Sequence, residues 1–292
     1  MIAAAAFTAC ASDEMGGNNS APKSDVISLT SSMAQTRATS NLQTNALNTA
    51  TKVGVFGISG TAAVTNGNNN PYSVSGTGDL TADTKDMKWP SDESATVDIY
   101  AYAPYQSSWT AYDAAADFAV ASDQSSDAGY LASDLIYAQA TPTDQNTVNL
   151  AFAHKLSRIV LTLRTDESTS LSDATVKIVG TKPSTTFTLT SDYKSDGAGS
   201  IGTATGTASD IIIGSGISLG ANSSTMFYGV IVPQTISANT TLIEVTGGGK
   251  RWRYHFSSDA TFVGGKSHSA SITVSSNSFT STIGDNATEP AN

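Results

Sequence analysis

Ala151-Phe-Ala-His-Lys-Leu-Ser-Arg-Ile-Val-Leu-Thr-Leu163 alternates apolar and polar residues and changes phase midway. Phe152, His154 and Leu156 alternate in one phase, and Ile159, Leu161 and Leu163 continue in the other. Alternation marks strands, because successive side chains of a strand point to opposite faces. A strand cannot change phase without a slip. Either a bulge sits near Ser157-Arg158, or the two halves face different cores. The second reading is favoured, and it places a junction between two β bodies around residues 145–155.

The same texture extends outward in both directions. Short runs rich in β-branched and aromatic residues recur at Val53–Ile58, Thr96–Tyr102, Thr147–Phe152, Ala174–Val179, Asp210–Ile213, Met226–Val232, Thr241–Val245, Trp252–Phe256 and Ser271–Val274. Breakers such as Asn66-Gly-Asn-Asn-Asn-Pro71 and Gly247-Gly-Gly249 separate them. That is the pattern of an antiparallel sandwich. The one helical window is Ala-rich Trp109–Ala121, read as a short helix or a loop.

Composition agrees. Charged residues make up 14% of the 292, against about 25% in an average soluble protein. Small polar residues take their place, which suits a β-rich surface better than long solvent-facing helices. A net charge of −10 argues against nucleic acid or anionic lipid as a partner.

Cys10 is the single cysteine, so it has no internal disulfide partner. Phe7-Thr-Ala-Cys10 closes an apolar start and resembles a bacterial lipobox, whose cysteine is acylated. The run is short and no Lys or Arg precedes it, so the leader (residues 1–10) is expected to be truncated. Ala11-Ser-Asp-Glu14 resembles the acidic tag of surface-exposed lipoproteins. Lipid is then the expected attachment to the outer membrane. Residues 11–24 form a polar tether. Val26–Leu29 is a short strand candidate, and Arg37-Ala38 stands in a Ser/Thr-rich stretch.

Chemistry-bearing residues are sparse. His154 belongs to an apolar alternation and reads as a hydrogen-bonded structural histidine; His255 reads as a surface residue. His154, His255 and His268 lack metal-ligand spacing. Asp123, Asp127 and Asp134 lack the calcium-loop pattern, and Gly247-Gly-Gly-Lys250 lacks the phosphate-loop spacing. No enzyme, metal or cofactor is expected. Among the aromatics, Tyr100 and Tyr102 read as packing residues. Trp109 and Tyr112 read as an exposed pair able to stack on a sugar face.

Several segments resemble the fimbrillin family, in its major-fimbrium-like lipoprotein branch. Phe152-Ala-His-Lys-Leu-Ser-Arg158 resembles its F-x-H-x-hydrophobic-S-R strand. Lys88-Trp-Pro90 with Val97-Asp-Ile-Tyr-Ala-Tyr-Ala-Pro104 resembles its W-P and Y-A-Y-x-P stretch. Phe227–Thr235, holding Val232-Pro-Gln234, resembles its V-P-Q strand, and Gly264-Gly-Lys266 with Ser271–Val274 its C-terminal strand. Thr36-Arg-Ala38, with Val53-Gly-Val-Phe56 after it, resembles the opening. His268 departs from the pattern, where an aromatic usually follows Gly-Lys.

The resemblance implies two tandem Greek-key, transthyretin-like β-sandwich domains, over 38–148 and 149–292. It also implies a type V pilus subunit, a structural and adhesive component of a surface fimbrium. A trypsin-like protease would cut at Arg37-Ala38, an N-terminal strand within 11–37 would leave, and a neighbour's terminal strand would replace it. The candidate donor is 277–283, with Phe279, Ser281 and Ile283 on one face. Expected partners are other fimbrillin subunits, with host or bacterial surface glycans or proteins. The alternative is a glycan-binding surface lipoprotein of a nutrient-uptake system.

Overall fold

The computed structural model describes residues 24–34, 46–189 and 199–275, and the backbone of 279–282. Apart from a short helix at Asp127–Ser133, the regular elements are strands.

Seven strands close into a ring. Lys52–Ser59 pairs with Asn70–Val74, then follow Asp79–Ala82, Leu29–Met33, Val148–His154, Ile136–Ala140 and Asp98–Ala103, which returns to Lys52–Ser59. Val53, Val55, Val74, Ile99, Ala101, Ile136, Leu150 and Phe152 fill one core. Phe56, Ile58, Tyr100, Tyr102 and Tyr137 lie on the same strands in the opposite phase and belong to a second, larger core. Lys52–Ser59 and Asp98–Ala103 are therefore buried on both faces. This is why they read as nearly unbroken apolar runs.

The larger core draws on both halves of the chain. Ala115–Ala119 pairs antiparallel with Ser184–Thr188, and the two lay Phe118 and Phe187 against Trp109 at 6.5 and 5.7 Å. The core then runs between two four-stranded sheets. One orders Ser224–Ile231, Ser157–Thr165, Ser267–Val274 and Phe279–Thr282; the other Ser209–Leu219, Leu171–Thr181, Thr241–Gly247 and Lys250–His255.

The phase change in the opening run is a break between strands. Val148–His154 ends, Lys155 and Leu156 turn, and Ser157–Thr165 begins. Phe152 enters the ring core, whereas Leu156, Ile159, Leu161 and Leu163 enter the larger one.

Two local expectations are corrected. The Ala-rich window holds a strand, Ala115–Ala119, because Ser184–Thr188 offers it a pairing edge. The helix lies further on, where Ser126 caps Gly129 N–H at 3.3 Å and Asp127 occupies the first turn.

Candidate functional site

Leu29–Met33 is a stave of the ring supplied by the N-terminal segment. On one side it runs parallel to Val148–Phe152 over five pairs, from Leu29↔Val148 to Met33↔Phe152. On the other it meets Asp79 and Leu80 in antiparallel register. Without it the ring is open between those two neighbours, and both present unpaired backbone groups.

Its hold is mostly main chain. Val148 N–H donates to Ser28 O at 2.9 Å, Ser31 N–H to Gly78 O at 2.7 Å, and Ala34 N–H to Phe152 O at 2.7 Å. Ser31 Oγ adds a second bond to Gly78 O at 2.8 Å. Ile27 and Leu29 are the buried anchors in the ring core, each contributing roughly 1.5–3 kcal/mol through burial. Upstream, Ile27 N–H donates to Met87 O and Trp89 N–H to Asp25 O, both at 2.8 Å. Lys88 Nζ closes on Asp25 at 2.6 Å, which holds the Asp25 carboxyl below its ordinary range and raises the Lys88 ammonium.

Gly78 belongs to this slot. Its φ is +87°, and a Cβ there would stand 2.9 Å from Ser31 O. Glycine is what lets the Ser75–Asp79 turn approach the inserted strand. The strand lies C-terminal to the expected Val26–Leu29. Val26 makes only an isolated bridge to Lys88, while polar Thr30, Ser31 and Ser32 pair through their backbones. No apolar alternation announces them. The one available signal is the Gly76-Thr-Gly78 turn that receives them.

Arg37, Ala38 and Cys10 lie outside the described residues, as does Ile283. Phe279–Thr282 is the outermost strand of its sheet, antiparallel to Ser267–Val274 from Val274↔Phe279 to Ser271↔Thr282.

The expected exposed aromatic pair is corrected. Trp109 is 4% exposed, stacked on Tyr102 at 4.3 Å, with Nε1 donating to Asp117 O at 3.1 Å. Tyr112 is half-buried and stacks on Tyr100 at 5.9 Å. Trp109 is drawn inside because its stacking partner Phe187 arrives from a distant strand.

His154 Nδ1 lies 2.8 Å from Asp134 Oδ1, both side chains buried, tying the ring to the end of the helix. Lys155, beside it, sits over the Tyr137 ring at 5.6 Å, and burial lowers the affinity of its amine for a proton. His255 is exposed. His268 is buried edge-on to Phe262, and its Nε2 accepts the Val263 N–H at 3.2 Å. Asp123 folds onto Ser125, so it and Asp134 serve separate local tasks. Among the described residues no three His, Cys, Asp or Glu side chains form a metal cluster.

The sequence profile of the fimbrillin-like family matches residues 36–286. The chain belongs to the fimbrillin-like family. A search of curated protein sequences finds no match. Among solved structures, this fimbrillin-like chain is similar to a protein assigned to cell adhesion from Bacteroides uniformis. The TM-score is 0.64 at 21% identity, over 90% of this chain and 99% of that one. A second such protein, from Bacteroides ovatus, gives a TM-score of 0.67 at 15% identity, over 89% and 96%. A fimbrial protein from Bacteroides ovatus gives 0.51 at 16% identity, over 86% of this chain and 50% of that one. At these identities the likeness is one of fold.

Proposed function

We propose that the chain is a structural and adhesive subunit of a bacterial surface fimbrium, joined to its neighbours by strand exchange. The observation that carries this reading is the Leu29–Met33 stave. It comes from a segment upstream of the ring, lies parallel to Val148–His154, and is held by backbone bonds and two apolar anchors. Main-chain recognition tolerates a different sequence in the same slot, which is the physics of strand addition.

Arg37 follows the stave three residues after Ala34, so a trypsin-like cut at Arg37-Ala38 detaches it from the rest of the ring. The slot is then filled by a neighbour's terminal strand, for which 277–283 is the candidate. Acylation at Cys10 would hold the unprocessed chain at the outer membrane, facing outward. Surface glycans or proteins remain the class of adhesion target, with Trp109 no longer available as an exposed platform.

Incubation of the purified full chain with trypsin tests the reading. A single trim near Arg37, followed by a ladder of SDS-resistant oligomers, is the expected result. Progressive degradation with monomer alone overturns it.

A further inference from the structure

The chain is strongly acidic, yet its charge is unevenly placed. Residues 46–148 hold twelve carboxylates against three Lys and Arg, whereas residues 149–282 hold eight against ten. Between Lys88 and Lys155 there is no cation at all, and nine carboxylates, seven of them exposed.

The opposite extreme is Lys250-Arg-Trp-Arg-Tyr-His255. This strand is the outer member of its sheet, and it pairs with Thr241–Gly247. Trp252 and Tyr254 turn into the larger core, leaving Lys250, Arg251, Arg253 and His255 exposed. Glu244, mostly buried on the neighbouring strand, holds Arg253 at 2.8 Å and lies 3.8 Å from Arg251. It orients the guanidinium groups without cancelling them.

The other outer strand of the same sheet, Ser209–Leu219, abuts the cation-free stretch: Gln124 N–H donates to Ile212 O, and Ile212 N–H to Ser122 O. Asp123 and Asp127 are exposed on that side. Two inner strands separate Lys250–His255 from Ser209–Leu219, about 15 Å across the sheet.

Building on the fimbrial reading, we infer that the basic Lys250–His255 strand is an interaction surface for a second copy of this chain, received on its acidic Asp123–Asp127 side. A contact between two different patches is head-to-tail, and it propagates a filament wherever its rotation does not close a ring. Charge complementarity of this kind orients the partners and raises the rate of encounter, and salt screens it. Charged residues on an outer strand also discourage unwanted edge pairing. That alternative role requires charge of either sign, whereas this interface requires positive charge.

Trypsin-processed full chain is followed by light scattering across a salt series, as wild type, as Lys250→Glu/Arg251→Glu, and as Asp123→Lys/Asp127→Lys. Arg253 and Glu244 are left intact, and melting curves confirm that each variant is folded. Each reversal alone is expected to slow assembly about tenfold at low salt and to flatten its salt dependence. An equal mixture of the two variants restores the wild-type rate, because each supplies the face the other lacks. Wild-type rates in both variants, or no recovery in the mixture, overturn the interface while leaving strand exchange standing. Wild type that never assembles overturns the fimbrial reading itself, and this inference with it.

Discussion

Leu29 pairs in parallel register with Val148, and the same residue faces Leu80 in antiparallel register on its other side. One short polar strand thus joins two parts of the ring that are otherwise unconnected there. The ring is closed by a segment from the N-terminal side of the chain.

Leu29 is buried in the ring core. Leu29→Ala is expected to cost about 2–4 kcal/mol, from lost burial plus a cavity. Chemical denaturation checks this. Thr30→Ala, on a half-buried position, is expected to stay within about 0.5 kcal/mol.

Gly78→Ala brings a Cβ to within 2.9 Å of Ser31 O at a φ of +87°. About 1–3 kcal/mol of strain is expected, falling on the inserted strand. Hydrogen exchange should show faster exchange in 24–34 with the sheets of the larger core unchanged. Uniform protection would mean that the turn adjusts freely.

Trp109→Ala removes the ring that stacks on Tyr102 and Phe187. A loss of about 3–5 kcal/mol is expected, visible as a large drop in melting temperature. A variant as stable as wild type would contradict a packing role for Trp109.

Acid should loosen the N-terminal segment first. The Asp25 carboxyl is held down by its hydrogen bond to Lys88 and then by the ammonium charge. A depressed carboxylate stabilises above its unfolded value and loses that contribution as pH falls through the folded one. The Lys88 ammonium is raised by the same contact, so its contribution is lost only as pH rises through its folded value. The pair is therefore intact at neutral pH and released in acid, as pH falls through the depressed value of Asp25. Amide protection factors of 24–34, followed from pH 7 to 3, should fall before those of 157–165. Lys88→Met should abolish that difference.

Much of the architecture is legible in the residues because burial on one or two faces leaves a pattern. The phase change after His154 marks the passage from one core to the other, and Phe56 and Tyr102 read as buried because both faces of their strands are covered. The inserted stave is not legible: Thr30, Ser31 and Ser32 contribute backbone, which leaves no apolar signature. Trp109 misleads for a related reason. It sits in an irregular stretch, and its partner Phe187 is joined to it only by the pairing of Ala115–Ala119 with Ser184–Thr188. Contacts of that kind are tertiary and have no local trace. The helix at Asp127–Ser133 carries a local cap in Ser126, but Gly129 weakens its helical reading.

Strand exchange at this slot is tested by hydrogen exchange of Val148–His154 in the full chain, in the trypsin-trimmed monomer, and in the assembled form. The segment should be protected in the full chain, exposed once the stave has left, and protected again in the polymer. Protection that persists in the trimmed monomer, or exposure that persists in the polymer, would contradict strand exchange at this slot.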